Sequence, residues 1–472
     1  MRRHLLLSGL ALLALLLASC SHDQPTAPNP SDLDQTTRES RAEEITTALF
    51  ALTEWPVEEP EAMPTVDAIK CLGWIVDFQV TDLVDNIRHY RWDIRMSADE
   101  MDVITLHRVV KVRRHRPIHT HLNLFLQHGD AKDFQGMFLP GTLSATTPED
   151  FGAAVYWARR NVDVWGIDQA WNNVPAETAD FAFMADWGLD KQYQDLGTGL
   201  RVARMVRRIS GSGNGKMNLL GYSSGSATGY ALLNAETQLP PGRRQVGGWI
   251  SVDYAPLSDD AEFTAANCDL VATFQAMIDA GEYGYFVGFD FLGNLAVNDP
   301  DGMSPVFPGM TNLEAAMFAG GAPLFGYGVG HYLAAEWDND LPVSFVYTTT
   351  EQWLDFMVAG APWEPVQFLL DYGIYGCPDS NSPWDDHFGE ITIPVMDVGA
   401  DGGIGPITPY CLSLLGSEDI TELDIGFLPE DQALFDYGHI DLWIADNAPE
   451  FVWQPILDWV GDHTQGGPHP HH

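Results

Sequence analysis

The run Lys216-Met217-Asn218-Leu219-Leu220-Gly221-Tyr222-Ser223-Ser224-Gly225 joins an apolar, strand-like stretch to the pentad Gly-Tyr-Ser-Ser-Gly, and the small residues from Ser226 to Leu233 suit a helix. A serine on a sharp strand-to-helix turn has strained backbone angles, and side chains two positions before and after it would collide. Gly221 and Gly225 remove those side chains, so the spacing fits a turn that presents Ser223 as a nucleophile. A serine hydroxyl attacks only when a histidine takes its proton and a carboxylate orients that histidine. On such a turn the chain order is serine, acid, histidine. The run Ile391 to Val398 leads into Gly399-Ala400-Asp401-Gly402-Gly403, which makes Asp401 the candidate acid; Asp253, closing the earlier run Gly247 to Asp253, is its competitor. His439, in Tyr437-Gly438-His439-Ile440-Asp441-Leu442-Trp443, is the candidate base, whereas His387 precedes the Asp401 strand and has the wrong order.

The elements that must hold these groups alternate along the chain. Strand character appears at Ile104 to Val112, Leu122 to Gln127 and Val162 to Asp168, with a helix-like stretch from Phe151 to Asn161. Leu196, Leu200, Ala203, Val206 and Ile209 recur at three- and four-residue steps, the period of an amphipathic helix that ends in Ser210-Gly211-Ser212-Gly213. A last helix is expected from about Pro449 to Val460. Strands alternating with helices imply an α/β fold with a mostly parallel sheet covered on both faces, and functional loops at the strands' C-terminal ends. The alternation breaks from about Ala255 to Glu390, a segment crowded with aromatic residues, Met, Gly and Pro. It reads as a cap inserted between late core strands, with an apolar binding cleft beneath it. The expected organisation is therefore core at 61–254, cap at 255–390 and core again at 391–463.

Across residues 95 to 460 the chain resembles the α/β-hydrolase superfamily, with Ser223, Asp401 and His439 as the implied nucleophile, acid and base. His439-Ile440-Asp441-Leu442-Trp443 with Asp446-Asn447-Ala448-Pro449, and the strand Val162-Asp163-Val164-Trp165, are similar to motifs of the acid-lipase group, the gastric and lysosomal lipases. Two departures stand out: Gly166-Ile167-Asp168 lacks the usual Arg-Gly after that strand, and Tyr222 replaces a common histidine. The oxygen of a tetrahedral intermediate needs backbone N–H donors, of which Ser224, following the nucleophile, supplies one. His128-Gly129 resembles the oxyanion loop and makes the Asp130 amide the second. A carboxylate aimed at the oxyanion would oppose the reaction. The Asp130 side chain must then turn away, toward Lys132, or Ala131 donates instead. No cofactor and no metal is required, and His115, His119 and His121 read as ordinary polar residues.

Met1-Arg2-Arg3-His4, the apolar run Leu5 to Leu17 and Leu17-Ala18-Ser19-Cys20 have the regions of an export signal. The last four residues resemble the lipobox of bacterial lipoproteins, implying a signal over 1–19, lipidation of Cys20 and a tether over 20–60 with one helix near Ala42 to Leu52. The expected location is the outer membrane or cell surface, with periplasmic or secreted protein as the alternative. A net charge of -42 excludes nucleic acid as a partner, since a polyanion is repelled. Cys71, Cys268, Cys377 and Cys411 allow two disulfides, of which Cys268 with Cys377 is preferred; free buried thiols are the alternative. The tail 464–472 is His-rich. Together these features point to an exported, lipid-anchored serine hydrolase acting on hydrophobic or lipid-like carboxylic esters through an acyl-enzyme. A serine peptidase and a non-catalytic surface binding module are the other readings.

Overall fold

The computed structural model describes residues 75–113, 118–213, 215–323 and 330–464. The expected signal, Cys20, the tether, Cys71, His115 and the tail after Thr464 lie outside the described residues. Strands β1 (Ile75–Asp82), β2 (Ile87–Arg95), β3 (Val103–Lys111), β4 (Leu122–Gln127), β5 (Val162–Asp168), β6 (Met217–Tyr222) and β7 (Val246–Val252) come first. The segment that follows carries helices Ala261–Asp279, Phe289–Asn298, Asn312–Gly321, Thr350–Val358 and Val366–Gly376. Its short strands β8 (Gly284–Phe286), β9 (Ala335–Asp338), β10 (Leu341–Phe345) and β11 (Trp363–Pro365) form two small sheets. The chain then supplies β12 (Val395–Ala400) and β13 (Ile420–Ile425). A nine-stranded sheet results, in the order β1-β2-β3-β5-β4-β6-β7-β12-β13, antiparallel from β1 to β5 and parallel from β5 to β13.

Side chains alternate across a strand, and here both faces are apolar. Phe125, Trp165, Leu219 and Trp249 pack on one face, while Leu124, Leu126, Val164, Leu220 and Ile250 pack on the other. The first face is covered by helix Leu189–Ser210, whose Leu196, Leu200, Ala203 and Val206 are all fully buried, as their helical spacing requires. The second face is covered near the C-terminus by Trp443, Trp453 and Val460. Each such large side chain removed from water contributes roughly 1.5–3 kcal/mol. The hairpin β1–β2 and the edge strand β13 extend the sheet beyond the strands visible in the sequence pattern. Cys268 and Cys377 form a disulfide that ties helix Ala261–Asp279 to the end of helix Val366–Gly376, and Cys411 is a free buried thiol.

One charged cluster lies within this apolar interior. Asp163 on β5 accepts from Arg108 Nε at 2.8 Å and Nη2 at 3.0 Å, and from Arg207 Nη1 at 2.7 Å. Burial alone would raise the Asp163 carboxyl, but the two guanidinium groups outweigh it and hold it below its ordinary range. Because its folded-state value is depressed, its contribution is fully present above the ordinary carboxylate range and is lost as pH falls through the lowered value. Asp163→Asn should therefore lower stability by about 3–5 kcal/mol at neutral pH, by leaving buried arginine charge uncompensated. Urea unfolding at pH 7 and at pH 3 should show the gap between variant and parent narrowing in acid.

Candidate active site

Ser223 stands between β6 and helix Ser224–Thr237 with φ 56° and ψ -130°, angles that a non-glycine residue adopts only under strain. A Cβ at Gly221 would lie 2.5 Å from the Gly225 oxygen, and one at Gly225 would lie 2.4 Å from the His128 oxygen. The two pentad glycines are thus required by backbone packing against backbone. The Ser223 amide donates to Val252 O at 3.0 Å, which locks the turn to the end of β7. Gly129 approaches equally closely, since a Cβ there would stand 2.7 Å from Ser223 Cβ.

His439 is buried and anchored through its backbone: its amide donates to His331 O at 2.9 Å, and the Tyr222 hydroxyl donates to its carbonyl at 3.1 Å. The Tyr222 ring stacks on the imidazole with centroids 4.6 Å apart. Its Nδ1 lies 2.6 Å from Asp253 Oδ2. Asp253 is fully buried, just beyond β7, with φ 52°. Its Oδ1 accepts from the Ala400 and Gly405 amides, each at 2.7 Å, and its Oδ2 accepts from the Ile404 amide at 3.0 Å. A buried carboxylate is tolerated when its oxygens are satisfied in this way.

The expected acid Asp401 is corrected by this geometry. Register explains the difference: Val252 pairs with Val398, and the Asp253 amide continues the ladder to Val398 O. The positive φ at Asp253 then turns its carboxylate into the loop after β12. Asp401, three residues past Val398, follows the other neighbour: its amide donates to Ile425 O at 3.0 Å and its carboxyl rests against Gly426. Burial and the nearby Asp424, Asp436 and Asp253 carboxylates raise it above the ordinary range.

Ser224, the expected first oxyanion donor, opens the helix that follows Ser223. The Ala131 amide is already committed, donating to Glu364 Oε1 at 2.7 Å, so the alternative donor is not free. Nor does Asp130 turn toward Lys132, whose Nζ donates to Phe356 O and which burial pushes down to about 7. Asp130 Oδ1 is instead buried without a hydrogen-bond partner among the described residues. Ser223, His439 and Asp130 open into a cavity of about 270 Å³ walled by Phe274, Val287, Phe289 and Leu369 from the segment between β7 and β12. Tyr222, Tyr332 and Glu364 also reach this cavity and were not among the sequence candidates. Tyr222 lay inside the pentad, whereas Tyr332 and Glu364 have no local signature.

The sequence matches no protein-family model and no curated protein. Among solved structures, a putative lipase from Sulfolobus solfataricus superposes with a TM-score of 0.58 at 17% identity, over 82% of this chain and 99% of that one. A soluble variant of monoglyceride lipase from Saccharomyces cerevisiae, in complex with a substrate analog, has a TM-score of 0.43 at 10% identity, over 83% and 96%. The sheet order and the archaeal likeness show that the chain has the α/β-hydrolase fold.

The two carboxylates can be separated by experiment. Asp253→Asn should slow reaction of Ser223 with a fluorophosphonate probe by on the order of a thousandfold or more, because the imidazole loses its orienting carboxylate. Asp401→Asn should label at close to the parent rate. Circular dichroism on both variants separates lost reactivity from lost fold, a necessary control since Asp253 also holds three amides.

Proposed function

We propose that the protein is a serine hydrolase of carboxylic esters, with Ser223 as nucleophile, His439 as general base and Asp253 as the orienting acid. The observation that carries this reading is the 2.6 Å Asp253–His439 contact beside a serine held in the strained turn. Ser223 Oγ attacks the ester carbonyl carbon and its proton passes to His439 Nε2. Collapse of the tetrahedral intermediate expels the alcohol, which takes that proton. Water, activated by the same histidine, then releases the acid and restores the serine. Asp253 holds the Nδ1 proton and the imidazolium charge without accepting the proton itself. The Ser224 amide is one donor to the oxyanion, with the Asp130 amide as the second. No cofactor enters these steps.

The aromatic and aliphatic walls of the cavity favour a hydrophobic or lipid-like acyl group. A fluorophosphonate should label Ser223, and Ser223→Ala should abolish both labelling and ester turnover. In a panel of esters of increasing acyl length beside peptide amides, turnover should rise with chain length and be negligible on the amides. Faster amide cleavage would make the protein a peptidase of the same mechanism; no turnover of either, with the triad intact, would make it a binding module.

The reading includes export and a lipid anchor at Cys20, supported by the lipobox-like Leu17-Ala18-Ser19-Cys20. The protein should fractionate with membranes, and Cys20→Ala should release or mislocalise it. Soluble parent protein with a mature N-terminus beyond Cys20 would refute the anchor.

A further inference from the structure

The loop after β4 reaches the nucleophile at Gly129, where a Cβ would stand 2.7 Å from Ser223 Cβ, and the next amide along the chain is that of Asp130. Two peptide planes meet at Asp130, and a side chain holds each of them. His128 Nδ1 lies 2.8 Å from the Gly129 oxygen, and because a carbonyl oxygen only accepts, Nδ1 is the nitrogen that carries the proton. In a trans peptide the carbonyl and the N–H point in opposite directions, so this bond also fixes the direction of the Asp130 N–H. On the far side of Asp130, the Ala131 amide donates to Glu364 Oε1 at 2.7 Å. Among the described residues no acceptor takes the Asp130 amide.

Glu364 belongs to β11, in the segment over the sheet, and not to the loop it holds. It is 2% exposed and lines the cavity together with Ser223 and Asp130. The same stretch takes the other polar group of Ala131, since the Ala361 amide donates to Ala131 O at 2.8 Å. Gly360 packs against that oxygen too, at 3.3 Å from where its Cβ would stand. Ala131 has φ 57°, a left-handed conformation in which a residue with a Cβ is strained, and such strain persists only where the surroundings enforce it. Here the enforcing partners of its N–H and C=O both come from the segment over the sheet.

We propose that Glu364 is a positioning residue of the oxyanion site: by holding the Ala131 amide it fixes the strained turn that leaves the Asp130 amide free for the acyl oxygen at Ser223. This rests on reading Ser223 as the nucleophile with the Ser224 and Asp130 amides as donors. Glu364 acts through Ala131 and exchanges no proton. What the role requires is an acceptor oxygen at the right reach, not a charge. Donors stabilise an oxyanion only when they are aimed before charge develops, and a misplacement of about 1 Å is enough to slow a reaction greatly. The segment over the sheet thereby frames the reacting groups as well as walling the acyl cavity.

The test measures kcat and KM for an ester and for its thionoester, in which sulfur replaces the carbonyl oxygen, in the parent and in Glu364→Gln, Glu364→Asp and Glu364→Leu. Circular dichroism on each variant checks the fold. Sulfur is a weak acceptor, so the preference for ester over thionoester reports how well the amides are aimed. Glu364→Gln keeps an acceptor at the same reach and should retain most of the parent's kcat and its preference for the ester. Glu364→Leu removes the acceptor, and Glu364→Asp draws it back by one methylene. Both should lower kcat for the ester by up to about a hundredfold, the scale of one lost oxyanion donor, with little change in KM and a diminished preference for the ester. Should Glu364→Leu fail to fold, the contrast between Gln and Asp carries the test. An undiminished preference for the ester in Glu364→Asp and Glu364→Leu, whatever their stability, would overturn the proposal. So would an active Glu364→Asp beside an impaired Glu364→Gln, which would show that charge and not the acceptor matters. A fluorophosphonate label that maps away from Ser223 in the parent would sink the underlying reading instead, so the two failures are told apart.

Discussion

The Asp253 carboxylate, just beyond the end of β7, ties the end of β12 and the loop after it to His439. Its four hydrogen bonds come from the amide of Ala400 at the end of β12, the amides of Ile404 and Gly405 in the loop that follows, and His439, a residue of the C-terminal region. An ionised carboxylate in a dry interior is tolerable only with such a set of donors, and charge-assisted bonds of this kind are about twice as strong as neutral ones. The loop geometry and the imidazole orientation are therefore set by one group. A loop folded differently would strand the charge, and a displaced histidine would leave one of its oxygens short of a donor.

The remaining groups are positioned by contacts of similar economy. Tyr222, one residue before the nucleophile, stacks on the imidazole with its ring and bonds the histidine carbonyl with its hydroxyl. His439 thus has its ring held on one face and its Nδ1 held at the edge. The Gly129 loop and the pentad turn touch at van der Waals distance, so the loop after β4 packs directly against Ser223. Such mutual fixation suits a site whose stabilising dipoles must be in place before charge develops.

Much of this was legible in the sequence because it is local. The strands β3 to β7 and β12 announce themselves by apolar and β-branched runs, and the elbow by the steric need for glycine at Gly221 and Gly225. The helix Leu189–Ser210 follows from its period. Strand β2 was not read from the sequence because charged and polar residues interrupt its Tyr90, Trp92 and Ile94, and β13, largely exposed and acidic, had no apolar run to show. Asp401 and Asp253 could not be ranked locally, because the choice depends on strand register and on a positive φ at Asp253 that residue type does not reveal. Glu364 was out of reach for a different reason: its partner Ala131 is distant in the chain, and only the tertiary fold brings them together.

The placement of Asp253 has a consequence for how this chain can change over evolutionary time. The long segment over the cavity starts just after Asp253 and ends before β12, whose last residue, Ala400, donates to the same carboxylate. Sequence in that segment can change freely only where it keeps its holds on the C-terminal region, because the His331 and Tyr332 carbonyls accept from the His439 and Ile440 amides at 2.9 and 2.8 Å. The loop after β4 is tied to the same segment, with the Ala131 amide donating to Glu364, the Ala361 amide donating to Ala131 O at 2.8 Å and Lys132 Nζ donating to Phe356 O, and a lineage that replaced the segment wholesale would have to rebuild or abandon these ties.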